Sequence, residues 1–313
     1  MLRWKRMKKY DVVVIGAGPG GMTAALYAAR ANLKVAMLDR GVYGGQMNNT
    51  DGIENYPGFT SIKGPELGEK MYQSATNAGV EFVYGDVQKV TFDDEHFKHI
   101  QTDSDELVAK AVIIATGSTN RKLGVPGEEE FSGKGVSYCA VCDGTFFKDR
   151  DVSVIGGGDS AISEGLYLAN LADKVTVVHH RNKLRAQRIL QDRAFDNQKM
   201  DFTWDSDVTE IIGNENQVTG IKIHNKKTDQ DEVVPTSGVF IYVGNIPNSQ
   251  AFTNLKITDE AGWIKTNDEM ETAIPGIYAV GDVRQKKLRQ ITTAVGDGGI
   301  AGQNAFEYVE QFK

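Results

Sequence analysis

The chain has 313 residues, more than a single hydrophobic core usually serves, so the sequence predicts two domains. Its formal net charge of −7 argues against a nucleic-acid-binding protein, because such domains carry clustered Lys and Arg. No run of about 18 apolar residues would span a membrane, and the basic segment Met1–Lys9 lacks the apolar stretch of a signal peptide after it. We therefore expect a cytoplasmic protein without membrane or nucleic-acid partners, with Met7 as an alternative start to Met1.

The first predicted elements form a dinucleotide-binding unit. Tyr10–Ile15 predicts a strand and Met22–Arg30 predicts a helix, and between them lies the glycine loop Gly16-Ala17-Gly18-Pro19-Gly20-Gly21. Such a loop allows a tight turn, close approach of a pyrophosphate and close packing of the helix on the strand. A second strand, Leu33–Leu38, ends in Asp39, where a carboxylate would accept hydrogen bonds from an adenosine ribose. This order predicts a site for FAD or NAD, although Asp39 alone would also suit an ordinary strand-end turn.

An apolar strand follows at Val112–Ile114 and ends in the small-residue turn Ala115-Thr116-Gly117. A dinucleotide-binding sheet commonly ends in this way before the chain passes to another domain. The next residues, Ser118-Thr119-Asn120, favour a loop. We therefore place a domain crossing near Asn120.

The only two cysteines, Cys139 and Cys142, form a CxxC motif directly ahead of Asp143. This spacing lets the sulfurs close a tight disulfide, which a thiolate can exchange with another dithiol, and Asp143 is placed to supply or accept the proton. The pair would also fit half of a zinc site or a structural disulfide. A structural zinc site needs four protein ligands, however, and the chain has no second cysteine pair. The pattern favours a redox-active pair and no metal.

The glycine loop recurs as Gly156-Gly157-Gly158-Asp159-Ser160-Ala161, after the predicted strand Val152–Ile155 and before the predicted helix Ile162–Leu171. The next strand, Lys174–Val178, ends at His179, which follows Gly156 by the same number of positions as Asp39 follows Gly16. The acid is replaced here by a basic cluster that also contains His180, Arg181, Lys183 and Arg185. Because arginine accommodates a 2′-phosphate, this loop predicts an NADP site, and a solvated helix start is the alternative explanation of the cations.

Near the end of the chain, Gly276–Asp282 repeats the pattern of strand, glycine and acid, and Asp282 is placed to bond a ribityl hydroxyl of a flavin. Because apparent flavin-site segments flank the second nucleotide fold, we predict that this fold is inserted in the first, with the return near Pro247. The predicted fold class is α/β, with two Rossmann-like dinucleotide-binding domains of the FAD/NAD(P)-binding two-domain type. The FAD-binding domain comprises 1–120 and 248–313, and the NADPH-binding domain with the CxxC motif comprises 121–247.

Almost the whole chain resembles the low-molecular-weight, bacterial-type NADPH thioredoxin reductases. The resemblance rests on both glycine loops, the CxxC motif with Asp143 and Gly144, and four further segments: Gly44-Gly45-Gln46-Met47, Glu54-Asn55-Tyr56-Pro57-Gly58-Phe59, Ala115-Thr116-Gly117, and Gly281-Asp282 with Arg289-Gln290. It implies a homodimer with one FAD per subunit, in which NADPH reduces the flavin, the flavin reduces the Cys139–Cys142 disulfide, and thioredoxin accepts the electrons. It also implies a large domain rotation, with the two crossings as hinges.

The resemblance assigns roles to individual residues. Cys142 lies against the flavin, Cys139 is the thiol that attacks thioredoxin, Asp143 is the proton donor, and Lys134 and Phe146 belong to the docking surface. The implied FAD-binding residues are Gly16, Gly18, Pro19, Gly20, Gly21, Asp39, Arg40, Gly45, Gln46, Asn55, Ala115, Thr116, Gly117, Gly281, Asp282, Arg289 and Gln290. The implied NADPH-binding residues are Gly156, Gly158, Asp159, Ser160, Ala161, His179, His180, Arg181 and Arg185.

One departure from the family bears on cofactor choice, because the family usually carries two adjacent arginines after the position of His179, and His180 replaces the first. A neutral imidazole contacts phosphate more weakly than arginine, so we predict a softened NADPH preference that depends on pH near the ordinary histidine pKa of about 6.5. Two alternative functions fit the same fold: a small-dithiol oxidase, which needs no 2′-phosphate site, and a non-catalytic NADP-binding sensor, which would be colourless.

Overall fold

The structure, a computed structural model, describes residues 8–50 and 52–312, so the basic extension and the choice between Met1 and Met7 lie outside the described residues. In chain order the strands are β1 (Lys8–Ile15), β2 (Val35–Asp39), β3 (Glu81–Tyr84), β4 (Val87–Phe92), β5 (Lys98–Thr102), β6 (Glu106–Ile114), β7 (Ser118–Asn120), β8 (Val136–Ser137), β9 (Asp151–Ile155), β10 (Lys174–Val178), β11 (Met200–Thr203), β12 (Ser206–Gly213), β13 (Val218–Asn225), β14 (Gln230–Pro235), β15 (Gly238–Ile241), β16 (Asn245–Pro247) and β17 (Ile277–Ala279). The α-helices are α1 (Pro19–Arg30), α2 (Gly64–Asn77), α3 (Ala140–Asp143), α4 (Asp159–Ala169), α5 (Arg188–Phe195) and α6 (Ile291–Glu310).

The chain folds into two compact units, and the second is inserted in the sequence of the first. The first unit contains the residues up to Thr119 and those from Ile246 onward, and the second unit is Asn120–Asn245. The connections between them contain β7 and β16, which form a two-stranded sheet.

The first unit is built on a seven-stranded sheet in the order β3-β2-β1-β6-β5-β4, with β17 also paired to β6. Strands β3, β2, β1, β6 and β17 run parallel, whereas β4, β5 and β6 form an antiparallel meander. The central strands are apolar because both faces of the sheet are covered. Because β1, β2, β6 and β17 run parallel, their carboxyl ends all lie at one edge of the sheet, where the predicted flavin segments begin.

Helices α1 and α6 cover one face of this sheet and pack closely against each other. A Cβ atom at Gly298 would lie 2.3 Å from the carbonyl oxygen of Gly20, and one at Gly302 would lie 2.6 Å from that of Ala24. Only glycine permits this approach of two helix backbones. The contact fixes the start of α6 beside the glycine loop that precedes α1.

The second unit contains a five-stranded parallel sheet in the order β11-β10-β9-β15-β8 and a three-stranded antiparallel sheet in the order β12-β13-β14. Helix α4 packs on one face of the parallel sheet, in a core with Val154, Val177 and Phe240. Each unit thus has the strand, loop, helix and strand order of a dinucleotide fold, and the predicted fold class is confirmed. Within the part of the chain that the structure describes, no helix is long and apolar enough to cross a membrane.

Candidate functional site

The first glycine loop has the geometry of a phosphate cradle. Gly16 has φ +111°, in the left-handed region, and a Cβ atom at Gly21 would lie 1.9 Å from the carbonyl oxygen of Gly16, so both positions require glycine. Gly18 caps the N-terminus of α1, and no atom lies within 4 Å of the place where its Cβ would stand. Gly45 lies beside Gly18, since a Cβ atom at Gly45 would be 3.3 Å from the Cα atom of Gly18. The helix N-terminus and the open space at Gly18 suit a pyrophosphate.

Asp39 stands at the end of β2 and holds the backbone of this loop. Its Oδ2 accepts a hydrogen bond from the backbone N–H of Ala17 at 2.7 Å, and its Oδ1 accepts one from that of Gly41 at 2.9 Å. Each carboxylate oxygen keeps capacity for a further donor, such as a ribose hydroxyl. Asp39 and Arg40 also line a cavity of about 360 Å³ together with Ile15, Gly16, Leu38, Gly85, Asp86, Val87, Gln88, Thr116, Asn248, Gln250, Ala251 and Phe252.

Asp282 lies beyond β17, at the start of a short 3₁₀ turn, and its Oδ1 is buried without a hydrogen-bond partner in the described chain. Burial raises the pKa of the Asp282 carboxyl, although the cations of Lys286 and Arg289 oppose the shift. The neighbouring Asp297, by contrast, is fully engaged by Arg284 Nη1 at 2.8 Å and Lys286 Nζ at 2.9 Å. A buried acceptor without a donor from the protein can accept a hydrogen bond from a ligand hydroxyl or N–H.

The remaining predicted flavin residues surround these two points. Asn55 Nδ2 donates to Gln290 Oε1 at 3.0 Å, at the capping box that begins α6, and Gln46 Nε2 donates to the Ser118 carbonyl at 3.1 Å. Arg289 lies 3.7 Å above the ring of Trp263. Thr116 Oγ1 donates to the carbonyl of Asn248 at 2.6 Å. The whole predicted set, with Pro19 and Gly20 on α1, Ala115, Thr116 and Gly117 after β6, and Gly281 before Asp282, belongs to the first unit.

The second glycine loop repeats the device between β9 and α4. Gly156 has φ +144°, and a Cβ atom there would lie 2.4 Å from the carbonyl oxygen of Tyr242. Gly158 caps α4 and again has open space beside it. Of the predicted residues in the first turn, Ser160 is exposed, Ala161 is fully buried, and Asp159 holds the segment before α5 through the N–H of Gln187 at 2.7 Å.

His179 occupies the position after β10 that Asp39 occupies after β2, but its role in the structure is different. Its ring is only 2% exposed and lies directly beneath Gly157, whose Cβ position is 2.6 Å from the ring. Burial and the neighbouring cations lower the pKa of His179, so the ring is neutral at pH 7. His179 therefore fills space under the loop and offers no carboxylate to a ribose.

The basic cluster lies at the surface beside this ring. His180 stacks on His179 with ring centroids 4.8 Å apart, and burial together with Lys226 and Arg181 lowers its pKa. Arg181 and Arg185 are exposed, and neither has an ion-pair partner among residues 8–50 and 52–312. Cations without carboxylate partners beside a glycine loop suit a phosphate group.

Cys139 and Cys142 form a disulfide, with Cα atoms 5.4 Å apart, at the start of α3. The N–H of Cys142 donates to Cys139 Sγ at 3.2 Å, Cys139 is half-buried and Cys142 is exposed. Asp143 Oδ2 accepts a hydrogen bond from Ser137 Oγ at 2.6 Å. Lys134 and Phe146 are exposed, and Phe146 retains 74% of its accessible surface. This group and the second glycine loop belong to the same unit.

The structure also adds residues that the sequence did not single out. Ser137 contacts Asp143 and the backbone of Cys139, and Tyr242 accepts a hydrogen bond from the N–H of Ala140 at 3.1 Å. Asn248 and the segment Gly85–Gln88 line the cavity at Asp39. Their sequence context, in strands or in loops beside them, does not say what they contact.

Comparison with known proteins gives a consistent result over the whole chain. The family described as pyridine nucleotide-disulphide oxidoreductase matches residues 10–298. The chain is 58% identical to a thioredoxin reductase of Listeria monocytogenes, over 98% of this chain and 96% of the relative, and 54% identical to one of Bacillus subtilis, over the same shares. The crystal structure of Lactococcus lactis thioredoxin reductase (FR conformation) superposes with a TM-score of 0.95 at 54% identity, covering 96% of this chain and 99% of that one.

Proposed function

Because the chain belongs to the thioredoxin reductase family of the pyridine nucleotide-disulphide oxidoreductases, we propose that it is a thioredoxin-disulfide reductase that passes electrons from NADPH through FAD and the Cys139–Cys142 disulfide to oxidised thioredoxin. The observation that carries the proposal is the disulfide itself, because a chain with only two cysteines has closed them into an exchangeable CxxC bond. The full-length similarity to named reductases supports the assignment.

The first unit, which comprises the two segments predicted to bind FAD, fits that cofactor. Gly18 and Gly45 leave room for a pyrophosphate, Asp39 faces a cavity that suits an adenosine, and the unpartnered Oδ1 of Asp282 would accept a ribityl hydroxyl. Bound FAD would supply two-electron transfer between the nicotinamide and the disulfide. The protein itself would bind and orient the cofactor, with Asp39 and Asp282 as hydrogen-bond acceptors.

The second unit fits NADPH in a different way. The N–H groups at the start of α4 face open space at Gly158 and would receive the pyrophosphate. Arg181 and Arg185 would bind the 2′-phosphate, and the absence of a carboxylate at His179 removes the acceptor that favours a free 2′-hydroxyl. This arrangement argues against the small-dithiol oxidase, which has no use for 2′-phosphate contacts.

The disulfide cycle assigns one role to each side chain at α3. Reduction adds two electrons and two protons and gives the thiols of Cys139 and Cys142. Cys139 then attacks the thioredoxin disulfide, Cys142 resolves the mixed disulfide, and Asp143 carries a proton between the sulfurs and solvent. Lys134 and Phe146 would contact thioredoxin beside the motif. A variant that traps the mixed disulfide tests the order, since Cys142→Ser should hold thioredoxin on Cys139 and Cys139→Ser should not trap it on Cys142.

We propose that the enzyme acts as a homodimer in the cytoplasm, where thioredoxin is kept reduced. A groove of about 510 Å³ runs along α1 and α6 of the first unit and is lined in part by Tyr27 and Ile300, which retain 49% and 39% of their surface. Exposed apolar side chains along a pair of well-packed helices support a subunit contact there. Sedimentation at micromolar concentration would measure the subunit number directly.

An anaerobic titration tests the function in one cuvette. We expect a yellow protein that NADPH bleaches and that recovers its absorbance when oxidised thioredoxin is added. Bleaching without recovery would keep the flavoenzyme and move the acceptor to a small dithiol or to oxygen. A colourless protein would leave only the NADP-binding sensor.

A further inference from the structure

Ser137 is a buried serine, 4% exposed, at the end of the edge strand β8. Its hydroxyl oxygen lies within hydrogen-bond distance of three groups that all belong to the CxxC segment. The backbone N–H of Cys139 donates to Oγ at 3.1 Å, the Asp143 Oδ2 atom lies 2.6 Å from Oγ, and the carbonyl oxygen of Cys139 lies 3.2 Å from Oγ. A single hydroxyl thus connects the backbone of one cysteine to the acid beside the other.

The Ser137 hydroxyl can donate one hydrogen bond and accept two. The Cys139 N–H occupies one acceptor site permanently. When Asp143 is ionised, the serine hydrogen points to Asp143 Oδ2, a short charge-assisted contact. When Asp143 is protonated, the acid can donate to the second acceptor site of Oγ while the serine hydrogen turns to the Cys139 carbonyl. All groups are therefore satisfied in both protonation states, and only one hydroxyl rotation separates them.

We infer that Ser137 is a positioning residue for proton transfer, a hydroxyl rotor that lets Asp143 gain and lose a proton without movement of any heavy atom. The inference rests on the proposed function, in which Asp143 serves the disulfide. The step is Asp143 carboxylic acid plus a cysteine thiolate giving Asp143 carboxylate plus a cysteine thiol, so one proton moves and no electron does. Over the whole cycle the hydride of NADPH supplies two electrons and one proton, solvent supplies the second proton, and Asp143 ends the cycle with the proton it began with.

Tyr242, another hydroxyl near this segment, is not placed to exchange a hydrogen bond with Asp143 when its protonation changes. Tyr242 accepts a hydrogen bond from the N–H of Ala140, and burial, with the charges of Glu164 on α4 and of Asp143, raises its pKa so that the hydroxyl stays protonated near neutral pH. Its oxygen is also held between that N–H and the Glu164 side chain. Ser137 is thus the hydroxyl that is placed to follow the protonation of Asp143.

The test compares the two half-reactions of the full-length FAD-loaded protein. The variant Ser137→Ala keeps the strand but removes the rotor, and Ser153→Ala is the matched control, because Ser153 is also a buried serine of the same sheet but its Oγ has no hydrogen-bond partner in the described residues. Flavin bleaching by NADPH is measured first. Reoxidation of the reduced protein by oxidised thioredoxin is then followed by stopped flow between about pH 5 and 9, a range that brackets neutral proton transfer.

We expect Ser137→Ala to bleach with NADPH at the wild-type rate and to be reoxidised by thioredoxin about tenfold more slowly than the wild-type protein, because Asp143 loses the hydroxyl that accommodates both of its protonation states. This slowing should vanish when Ser137→Ala is added to Asp143→Asn, which cannot change its protonation. A profile identical to that of Ser153→Ala, or an effect of equal size in the Asp143→Asn background, would overturn the inference. Failure of thioredoxin to reoxidise the wild-type protein would instead refute the proposed function, and the inference with it.

Discussion

The Oδ1 atom of Asp282, which is buried without a hydrogen-bond donor in the described residues, leads to opposite predictions for two quantities. Replacing Asp282 should raise the stability of the apoprotein and lower its affinity for FAD. In the protein without cofactor, this side chain is a cost, because its Oδ1 is buried with no donor and burial raises the pKa of the carboxyl. An unsatisfied buried polar group costs about 1–3 kcal/mol. The isosteric change Asp282→Asn removes the charge, so the apoprotein should gain about 1–2 kcal/mol of stability near pH 7.

The pH dependence has a definite sign. The folded-state pKa of Asp282 lies above the unfolded value of about 3.9, so the folded state binds more protons in the window between them. Stability therefore falls as the pH rises through that window, and the full cost remains above it. The Asp282→Asn variant should lack this contribution to the loss of stability with rising pH. The difference in stability between the variant and the wild-type protein should therefore grow from about pH 4 upward and then level off.

The same change should weaken FAD binding. A charged acceptor contributes about 1.5–3 kcal/mol to a hydrogen bond and a neutral one about 0.5–1.5 kcal/mol, so the loss of charge should raise the dissociation constant of FAD about 5- to 30-fold. Flavin fluorescence titration of the deflavinated protein measures the affinity, and thermal unfolding of the same sample measures the stability.

Asp297→Asn is the matched control for Asp282, because Asp297 belongs to the same unit but is already paired with Arg284 and Lys286. Its removal should destabilise the apoprotein, since it leaves two buried cations without their partner. The reasoning fails if Asp282→Asn lowers apoprotein stability as Asp297→Asn does, or if FAD binds the variant with wild-type affinity.

Three further predictions concern other titratable groups. Lys98 is 1% exposed and burial lowers its pKa to about 8, so stability should rise by about 3 kcal/mol between pH 8 and 10.5 through this residue, and Lys98→Met should abolish that rise in denaturant melts. The pKa of His180 is lowered, so wild-type NADPH affinity should gain from its protonation only below about pH 6.5; His180→Arg should bind NADPH about two- to fivefold more tightly at pH 7, and an unchanged dissociation constant would contradict this. Arg185→Gln should weaken NADPH about tenfold and leave NADH unchanged, as a comparison of the two Michaelis constants would show.

The periodic and glycine-marked parts of the fold were predictable from sequence. The strand Lys174–Val178 has the predicted bounds, and α1 begins at Pro19 rather than at Met22 because proline is well suited to the first helical position. The fold class, the family and the flavoprotein oxidoreductase class were all predicted and are confirmed. These features follow from local patterns of strand, loop and helix, which a single sequence carries.

The contacts that give individual residues their roles were not predictable in the same way. Ser137 reads as an ordinary strand residue, and its importance appears only when Asp143 is 2.6 Å away. Asp282 was recognised as an acid at a strand end, but not as an acceptor without a donor. His179 was predicted to bind the nucleotide, and the sequence did not indicate that its ring is buried under Gly157. In each case the deciding neighbour or environment is set by tertiary packing, which local pattern does not encode.

The two glycine loops show how one local design can serve two different nucleotides. Both place an open glycine at a helix N-terminus, and in both the residue that ends or follows the next strand lies against the loop. At the first, Asp39 is held by two backbone N–H groups and keeps lone pairs for a sugar hydroxyl. At the second, a neutral buried imidazole occupies the position, and the exposed cations that we propose bind the 2′-phosphate, Arg181 and Arg185, follow it by two and six residues. Under this proposal, selectivity for the phosphorylated cofactor depends as much on the missing carboxylate at His179 as on the two arginines, because an acid there would repel the 2′-phosphate that the arginines attract.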